Sequence, residues 1–171
     1  GNQVTFSDAL KLDSTGATIT NSGTSSIAGS ISGAGAFTKN GAGALTLSAD
    51  NTYAGATTIS AGSLLVGTGS STGSLGSGAI TNNGSLVFNR TGSLVVASAI
   101  TGTGSLTKQG SGTVSLTAAN GYSGGTTLTA GTLGLYNNTA AGTGAITAAD
   151  GTKFMFGRAV STVANNFTLS G

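Results

Sequence analysis

The sequence has no cysteine, proline, histidine or glutamate, and only 5% of its 171 residues are aromatic. Without cysteine, a disulfide framework and a thiolate metal site are excluded. Without histidine, the Ser-His-Asp and Cys-His arrangements of nucleophilic catalysis are excluded, together with the usual zinc ligands. The lack of proline, combined with the lack of a Gly-X-Y period, argues against a collagen-like chain or a disordered linker.

Charge is equally scarce. Charged residues make up 6% of the chain and leave a net charge of +2. The cations are spread singly, which argues against a phosphate-tracking patch and predicts no nucleic-acid partner. No apolar run approaches the roughly 20 residues that span a bilayer, so we expect no membrane span in this segment. The cations are Lys11, Lys39, Arg90, Lys108, Lys153 and Arg158.

Small and β-branched residues make up most of the chain. Glycine occurs 31 times, and serine and threonine together occupy 52 positions. Short segments such as ALTLS, ATTIS, SLVF and TVSL alternate small or polar residues with apolar ones, between glycines and asparagines. This pattern is typical of short strands separated by turns, and it predicts order through β-structure.

One phrase occurs twice. GAGALTLSADNTYAGATTISAG begins at Gly41, and the closely similar GSGTVSLTAANGYSGGTTLTAG begins at Gly110. The duplication predicts a single repetitive segment over residues 1–171, rather than separate domains. Its parts are a partial leading repeat (1–32), a first repeat (33–101) and a second repeat (102–171).

Glycines also recur at a spacing shorter than the repeat, and we call this series the glycine phase. Successive members are mostly about 20 residues apart, with longer steps from Gly35 to Gly62 and from Gly104 to Gly131, and three steps make one repeat. A step of about 20 residues is the size of one turn of a β-solenoid. We therefore predict an all-β parallel β-helix of seven to eight rungs, each of roughly 20–27 residues. The members of the phase are Gly16, Gly35, Gly62, Gly84, Gly104, Gly131, Gly151 and Gly171.

In such a coil, the apolar residues of the strands stack inward on their counterparts in the neighbouring turns. We expect the following residues to be internal: Leu45, Leu47, Ile59, Leu64, Val66, Ile80, Leu86, Phe88, Ile100, Leu106, Val114, Leu116, Leu128, Leu133 and Ile146.

The acidic residues offer little chemistry. A polysaccharide-cleaving β-helix needs clustered carboxylates, often with a basic partner or bound calcium. Asp50 corresponds to Ala119 in the second repeat, so a turn role is expected for it. Asp150 precedes Gly151 as an ordinary turn pair, and Asp8 and Asp13 are expected to flank a polar turn. We predict no catalytic, cofactor-binding or metal-binding residue and no cofactor.

The repeated polar residues also have structural interpretations. Asn51 and Asn120 are expected to bond neighbouring backbone rather than a ligand. Tyr53 and Tyr122 are expected to pack against the coil rather than stack on sugars. Lys39 and its equivalent Lys108 are expected to lie on one side of the rod, about three rungs apart, as solvated edge charges.

The phrase T-K-x-G-x-G-x-[LV]-[TS]-L-[ST]-x-x-N-x-Y-[AS]-G-x-T-T-[IL]-x-A-G-[ST]-L runs from Thr38 to Leu64 and from Thr107 to Leu133. It resembles the passenger-associated repeat of bacterial autotransporters. The resemblance implies a right-handed parallel β-helix on the outside of a Gram-negative bacterium, exported through a C-terminal β-barrel. That barrel is not in this sequence, so we expect the chain to be a piece of a longer passenger.

The leading hypothesis is a non-catalytic surface module, a stalk or adhesive scaffold. Its expected partners are neighbouring repeats, copies of itself stacked end to end into fibres, or glycans and proteins of a host or biofilm surface. One alternative is a lyase or glycosidase on the same fold. Another is a threonine array that binds ice or flat surfaces, although T-x-T pairs occur only at Thr18/Thr20, Thr101/Thr103 and Thr127/Thr129.

Overall fold

The computed structural model describes residues 5–170, which form 20 β-strands and no helix. Every strand pairing is parallel. The chain winds through eight coils between its first and last strands. The prediction of an all-β parallel solenoid is therefore confirmed. Gly171 of the predicted glycine phase and residues 1–4 of the leading repeat lie outside the described residues.

Each coil visits three faces in a fixed order. Face 1 is a continuous nine-stranded sheet, in which each of the eight coils begins with one strand and the ninth strand follows the last coil. Eight steps of about 4.8 Å between neighbouring strands give a rod of about 38 Å. The strands of face 1 are β1 (Thr5–Phe6), β4 (Thr24–Ile27), β7 (Ala44–Leu47), β9 (Ser63–Ser70), β11 (Ser85–Arg90), β14 (Ser105–Gln109), β16 (Thr126–Leu128), β18 (Ile146–Ala149) and β20 (Phe167–Ser170).

Faces 2 and 3 are shorter. Face 2 follows face 1 along the chain and holds a two-stranded sheet, β2 (Leu10–Leu12) and β5 (Ile31–Gly33), and a four-stranded sheet, β12 (Leu94–Val96), β15 (Thr113–Leu116), β17 (Thr132–Leu135) and β19 (Lys153–Phe156). Face 3 completes the early coils with a five-stranded sheet, β3 (Ala17–Thr20), β6 (Phe37–Asn40), β8 (Thr57–Ile59), β10 (Ile80–Asn82) and β13 (Ile100–Thr101).

Side chains alternate between the inside and the outside of the coil. In β7 the second and fourth residues, Leu45 and Leu47, are buried, whereas Ala44 and Thr46 are partly exposed. In register, Leu45 stacks on Leu64 of the next coil. All fifteen residues that we expected to be internal are buried, so that prediction is confirmed. The core therefore follows from the strand alternation read in the sequence.

The register gives the length of a coil. Paired residues on face 1 are 19 to 22 positions apart, as in Ala44 with Ser63 and Ser63 with Ser85. The longer glycine step from Gly35 to Gly62 consequently spans more than one coil. It begins before β6 on face 3 and ends before β9 on face 1 of the following coil.

The duplicated phrase therefore changes face. Three coils from Lys39 on face 3 lead through Ile59 and Asn82 to Gly102. Lys108 lies beyond that position, in β14 on face 1. The prediction that Lys39 and Lys108 lie on one side of the rod is wrong, because one repeat makes three coils and about a third of a fourth. Each repeat advances its features by one face.

Glycine is required where a corner passes close to the preceding coil. Gly110 has a φ of +72°, and a Cβ atom there would lie 2.5 Å from the carbonyl oxygen of Arg90. Its equivalent Gly41 has a φ of +77°, and a Cβ atom would lie 2.3 Å from the carbonyl oxygen of Asn21. Both the dihedral angle and the contact exclude a side chain.

Substitution Gly110→Ala should lower the free energy of unfolding by roughly 2 kcal/mol or more, because it combines left-handed strain with a backbone clash. Gly121→Ala is the matched control, since the nearest atom to its added Cβ lies 3.9 Å away. Urea denaturation followed by circular dichroism measures both. Equal midpoints for the two variants would contradict the stacked-corner geometry.

Candidate functional site

Each copy of the motif that runs from Thr38 to Leu64 and from Thr107 to Leu133 contains a buried lysine. Lys39 occupies an inward position of β6, between Ile19 in the preceding coil and Ile59 in the following one, and its side chain is fully buried. Its Nζ atom donates to the carbonyl oxygens of Asn40 at 2.9 Å, Gly41 at 2.8 Å and Ala61 at 3.2 Å. Three backbone acceptors thus match the three N–H donors of the ammonium group.

Lys108 repeats this arrangement on face 1. It is fully buried between Phe88 and Leu128 of the neighbouring coils. Its Nζ atom donates to the carbonyl oxygens of Gln109 and Gly110, both at 2.7 Å, and of Ala130 at 3.2 Å. The two lysines therefore have the same environment although they lie on different faces.

The prediction that Lys39 and Lys108 are solvated edge charges is wrong. Strand alternation places both at inward positions, where neighbouring coils carry apolar residues. Backbone carbonyl oxygens compensate for the loss of water, because two from the corner after each strand and one from the following coil converge on the ammonium group. Burial lowers the pKa of Lys39 below its ordinary value and that of Lys108 to about 8.

The two tyrosines are buried in the same way. Tyr53 and Tyr122 are fully buried, and each hydroxyl bonds the hydroxyl of a buried threonine four residues on, Thr57 at 2.7 Å and Thr126 at 2.6 Å. Burial raises the pKa of Tyr122 to about 12. The prediction that both tyrosines pack against the coil is confirmed, and neither ring is available to a sugar.

The repeated asparagines bond backbone between coils. Asn51 accepts from the amide of Ile31 at 2.7 Å and donates to the carbonyl of Ser74 at 2.6 Å. Asn120 accepts from the amide of Ile100 at 2.8 Å and donates to a carbonyl of the next coil at 2.6 Å. Their predicted structural role is confirmed, since each amide side chain links the coil before it to the coil after it.

Asp50 forms an ion pair that the sequence did not reveal. Its Oδ1 atom accepts from the amide of Gly73 at 2.9 Å, as expected of a turn residue, and lies 3.2 Å from Nη1 of Arg90. The guanidinium group of Arg90 is buried and also donates to the carbonyl oxygens of Gly73 and Ser71. Arg90 thereby fastens residues 67–73, an excursion that begins at the irregular end of β9 and continues into the turn after it, to the coil.

Arg90 matches Arg158 in the sequence, yet Arg158 is exposed. The excursion explains the difference. Gly67, Gly69 and Gly73 all have positive φ, which lets the chain fold over the Arg90 side chain. Three closely spaced glycines between Val66 and Ser74 are the signal that could have indicated a local excursion.

Two of the remaining carboxylates, those of Asp13 and Asp150, serve turns. Asp13 accepts from the amide and the hydroxyl of Thr15, and these hydrogen bonds lower the pKa of Asp13. Asp150 accepts from the amide of Gly151 at 2.8 Å, as expected of a turn pair. Within residues 5–170 no three carboxylates are grouped in a way that could hold a metal ion. The same range has no helix long and apolar enough to cross a membrane.

An open groove of about 560 Å³ lies on face 2 between β5 and β12, where the face has no strands. Its wall combines apolar side chains, among them Leu75, Leu94 and Val95, with hydroxyl and amide groups such as those of Ser74 and Asn51. No charged side chain lines the groove. The ion pair of Asp50 with Arg90 therefore lies outside it, and the groove offers no acid, base or nucleophile pair.

Threonines align on face 3. Successive strands place Thr18, Thr38, Thr58, Thr81 and Thr101 in one outward column. The neighbouring outward position changes from threonine to asparagine between the first two strands, so a two-column T-x-T array does not form there. The recurrence of threonine at intervals of about 20 residues from Thr18 to Thr101 is the sequence signal for this column.

Replacing Lys108 with alanine should destabilise the protein by roughly 3 kcal/mol or more, because it leaves a cavity and three carbonyl groups without their donor. The exposed Lys11 provides the matched control, and Lys11→Ala should change stability by about 0.5 kcal/mol or less. Chemical denaturation measures both variants. A small effect of Lys108→Ala would contradict its role at the corner.

The buried amine should also make stability depend on pH. The pKa of Lys108 is about 8 in the folded chain and 10.5 ordinarily, so the unfolded state binds more protons between these values. The free energy of unfolding of the parent, minus that of Lys108→Ala, should rise with pH from about 8 to about 10, by at most about 1.4 kcal/mol per unit. Tyrosine ionisation cancels in this difference. A difference that falls with pH in the same window would refute the assignment.

Comparison with known protein families matches the same two segments that the sequence repeats. The family described as the passenger-associated-transport-repeat matches residues 37–66 and 106–135. The Adhesin BmaC autotransporter of Brucella suis biovar 1 (strain 1330) is 43% identical over 83 residues, which cover 48% of this chain and 2% of that protein. The matched part is thus a small fraction of the relative's length. No solved structure matches the chain.

The two matched segments contain both buried lysines, both buried tyrosines and the asparagines that link the coils. They also coincide with the two copies of the phrase read in the sequence. Two segments of the chain, residues 37–66 and 106–135, are thus similar to the passenger-associated-transport-repeat, and both lie within one β-solenoid.

Proposed function

We propose that the chain is a non-catalytic structural and adhesive module of an autotransporter-type passenger, displayed outside a bacterial cell as a stalk or scaffold. The observation that carries the proposal is the continuous nine-strand ladder of face 1, which makes a rod of the described residues. The repeat match and the adhesin relative support the surface setting. The module is also proposed to associate end to end with further solenoid coils.

The polar groups of the repeats support a structural role. The ammonium groups of Lys39 and Lys108 bind backbone carbonyls, and the amides of Asn51 and Asn120 join coils. These groups are directed into the coil and are unavailable to a substrate. Adhesion is therefore assigned to the outward side chains, which are mostly small and uncharged, with glycans or proteins of a host or biofilm surface as partners.

A carbohydrate-cleaving function would need its reacting groups in a groove. Asp50 and Arg90 form the one ion pair found among residues 5–170. It is absent from the lining of the face 2 groove, and the Arg90 guanidinium is held by backbone carbonyls. This arrangement favours the fastening of the 67–73 excursion over catalysis.

The proposal predicts that the purified chain is a thin rod in small-angle X-ray scattering and binds members of an array of matrix proteins and surface polysaccharides without cleaving them. Asp50→Asn separates the two functions, since it removes the candidate carboxylate and leaves every other outward side chain in place. Binding should be unchanged in this variant. Release of reducing sugar by the parent chain, abolished by Asp50→Asn, would overturn the proposal.

A further inference from the structure

The backbone ladder of face 2 is interrupted at one step among residues 5–170. The third coil bonds the second there through the amides of Thr52 and Ala54, and the fourth bonds the third in the same way. From the fifth coil to the eighth, β12, β15, β17 and β19 are paired without a break. No backbone hydrogen bond joins residues 74–77 of the fourth coil to residues 93–98 of the fifth. The groove of about 560 Å³ lies at this step.

The interruption is local, because the two neighbouring faces hold the fourth and fifth coils together. On face 1, β9 pairs with β11, and on face 3, β10 pairs with β13. On face 2 a side chain makes the crossing bond, since the hydroxyl of Ser98 donates to the carbonyl oxygen of Ser77 at 3.0 Å. The groove lies in the middle of the rod, so a further coil at either end would not cover it.

β12 presents an open edge to the groove. It pairs with β15 on one side and is the outermost strand of its sheet on the other. The carbonyl oxygen of Val96 accepts from the amide of Thr117 at 3.1 Å, so the backbone groups of Val96 face β15. Successive residues of a strand direct their backbone groups to opposite sides, so the N–H and C=O of Val95 and the N–H of Ala97 face the groove. None of these three groups has a backbone partner among residues 5–170.

The lining of the groove indicates the chemistry of its occupant. Leu75 of the fourth coil and Leu94 of the fifth are half-buried in its walls. No charged side chain lines the groove, and its one aromatic lining residue, Phe88, is fully buried. A glycan would therefore meet neither an exposed ring nor a charged group. The donor, acceptor and donor on the edge of β12 instead complement the main chain of an extended peptide, whose alternate side chains would contact the apolar walls.

We propose that the groove binds an extended, uncharged segment of a partner protein, which adds to β12 as a strand. The added strand becomes the fifth member of the sheet formed by β12, β15, β17 and β19, and so continues an interface already present in the rod. Strand addition takes its affinity from main-chain bonds and its specificity from alternate side chains. The recognised feature is an apolar residue at every second position. The inference goes beyond the proposed function, because the groove binds a strand whether or not the rod is displayed on a cell.

A capped peptide with the sequence SGTVSLTA, residues 111–118, is the probe, because the strand within it already pairs with β12 on the other side. Amide hydrogen exchange of the full chain, followed residue by residue by NMR, measures binding. With the peptide at ten times its dissociation constant, exchange at Val95 and Ala97 should slow about tenfold. Exchange at Leu94 and Val96, whose amides face β15, should change little. The matched control is the same peptide with its strand amides N-methylated, which should give no protection.

Variants on the two walls of the groove test the contact from the protein side. Val95→Pro removes a donor that faces the groove and leaves the bonds that Leu94 and Val96 make with β15, and proline is tolerated at such an edge. It should weaken peptide binding roughly tenfold, whereas its matched control Val95→Ala, which keeps the donor, should weaken binding about twofold or less. Leu75→Ser removes an apolar contact from the opposite wall and should also weaken binding. Circular dichroism verifies folding.

Saturable protection of Val95 and Ala97 by the parent peptide, but not by the N-methylated peptide, would support the inference. It is overturned by a lack of protection there at millimolar peptide, by protection confined to the terminal strands β1 and β20, or by equal binding of the two peptides. If Val95→Pro does not fold, Leu75→Ser and the N-methylated peptide still decide. A failure to bind peptide leaves adhesion through the outward side chains of the rod unaffected, so this inference and the proposed function can fail separately.

Discussion

Successive coils are joined by parallel backbone hydrogen bonds between residues 19 to 22 positions apart on face 1. The other features of the molecule follow from this spacing. Side chains in one coil must stack on side chains about one coil length away, so the core consists of columns rather than of a central cluster. Corners must pass within contact distance of the preceding corner, which only glycine allows at positions such as Gly41 and Gly110. Backbone stacking thus dictates the composition of the chain.

The buried lysines show how a thin coil accommodates a charge. An inward lysine lies among apolar residues, where an unpaired ammonium group would be costly. The left-handed glycine corner after each strand brings two carbonyl oxygens to Nζ, and the following coil brings the third, so the glycine and the lysine of the motif are parts of one structure. Because one repeat makes three coils and about a third of a fourth, the lysine and its glycine corner recur on the next face. An array of such repeats therefore presents equivalent features in successive directions around the rod.

The glycine spacing of about 20 residues predicts the solenoid, and strand alternation predicts its inward apolar residues, because each short strand has an unambiguous inward side. The predicted exposure of the lysines is wrong because strand alternation outweighs charge here: Lys39 is two residues from the inward Phe37 and therefore points inward as well. Spacing alone does not predict that the second repeat lies one face further around the rod. A longer glycine step fits either one long coil or one coil plus the path along one more face. The pairing of Arg90 with Asp50 depends on an excursion that occurs in only one repeat, so duplication gave no signal for it.

The central claim is that the duplicated phrase supplies an internal corner rather than an exposed site. Amine acylation of the folded protein near neutral pH, with each lysine located by mass spectrometry, tests it most directly. The account predicts rapid modification of the exposed Lys11 and Lys153 and protection of Lys39 and Lys108 until the protein is unfolded. Modification of Lys39 and Lys108 in the folded protein at the rate of Lys11 would contradict it.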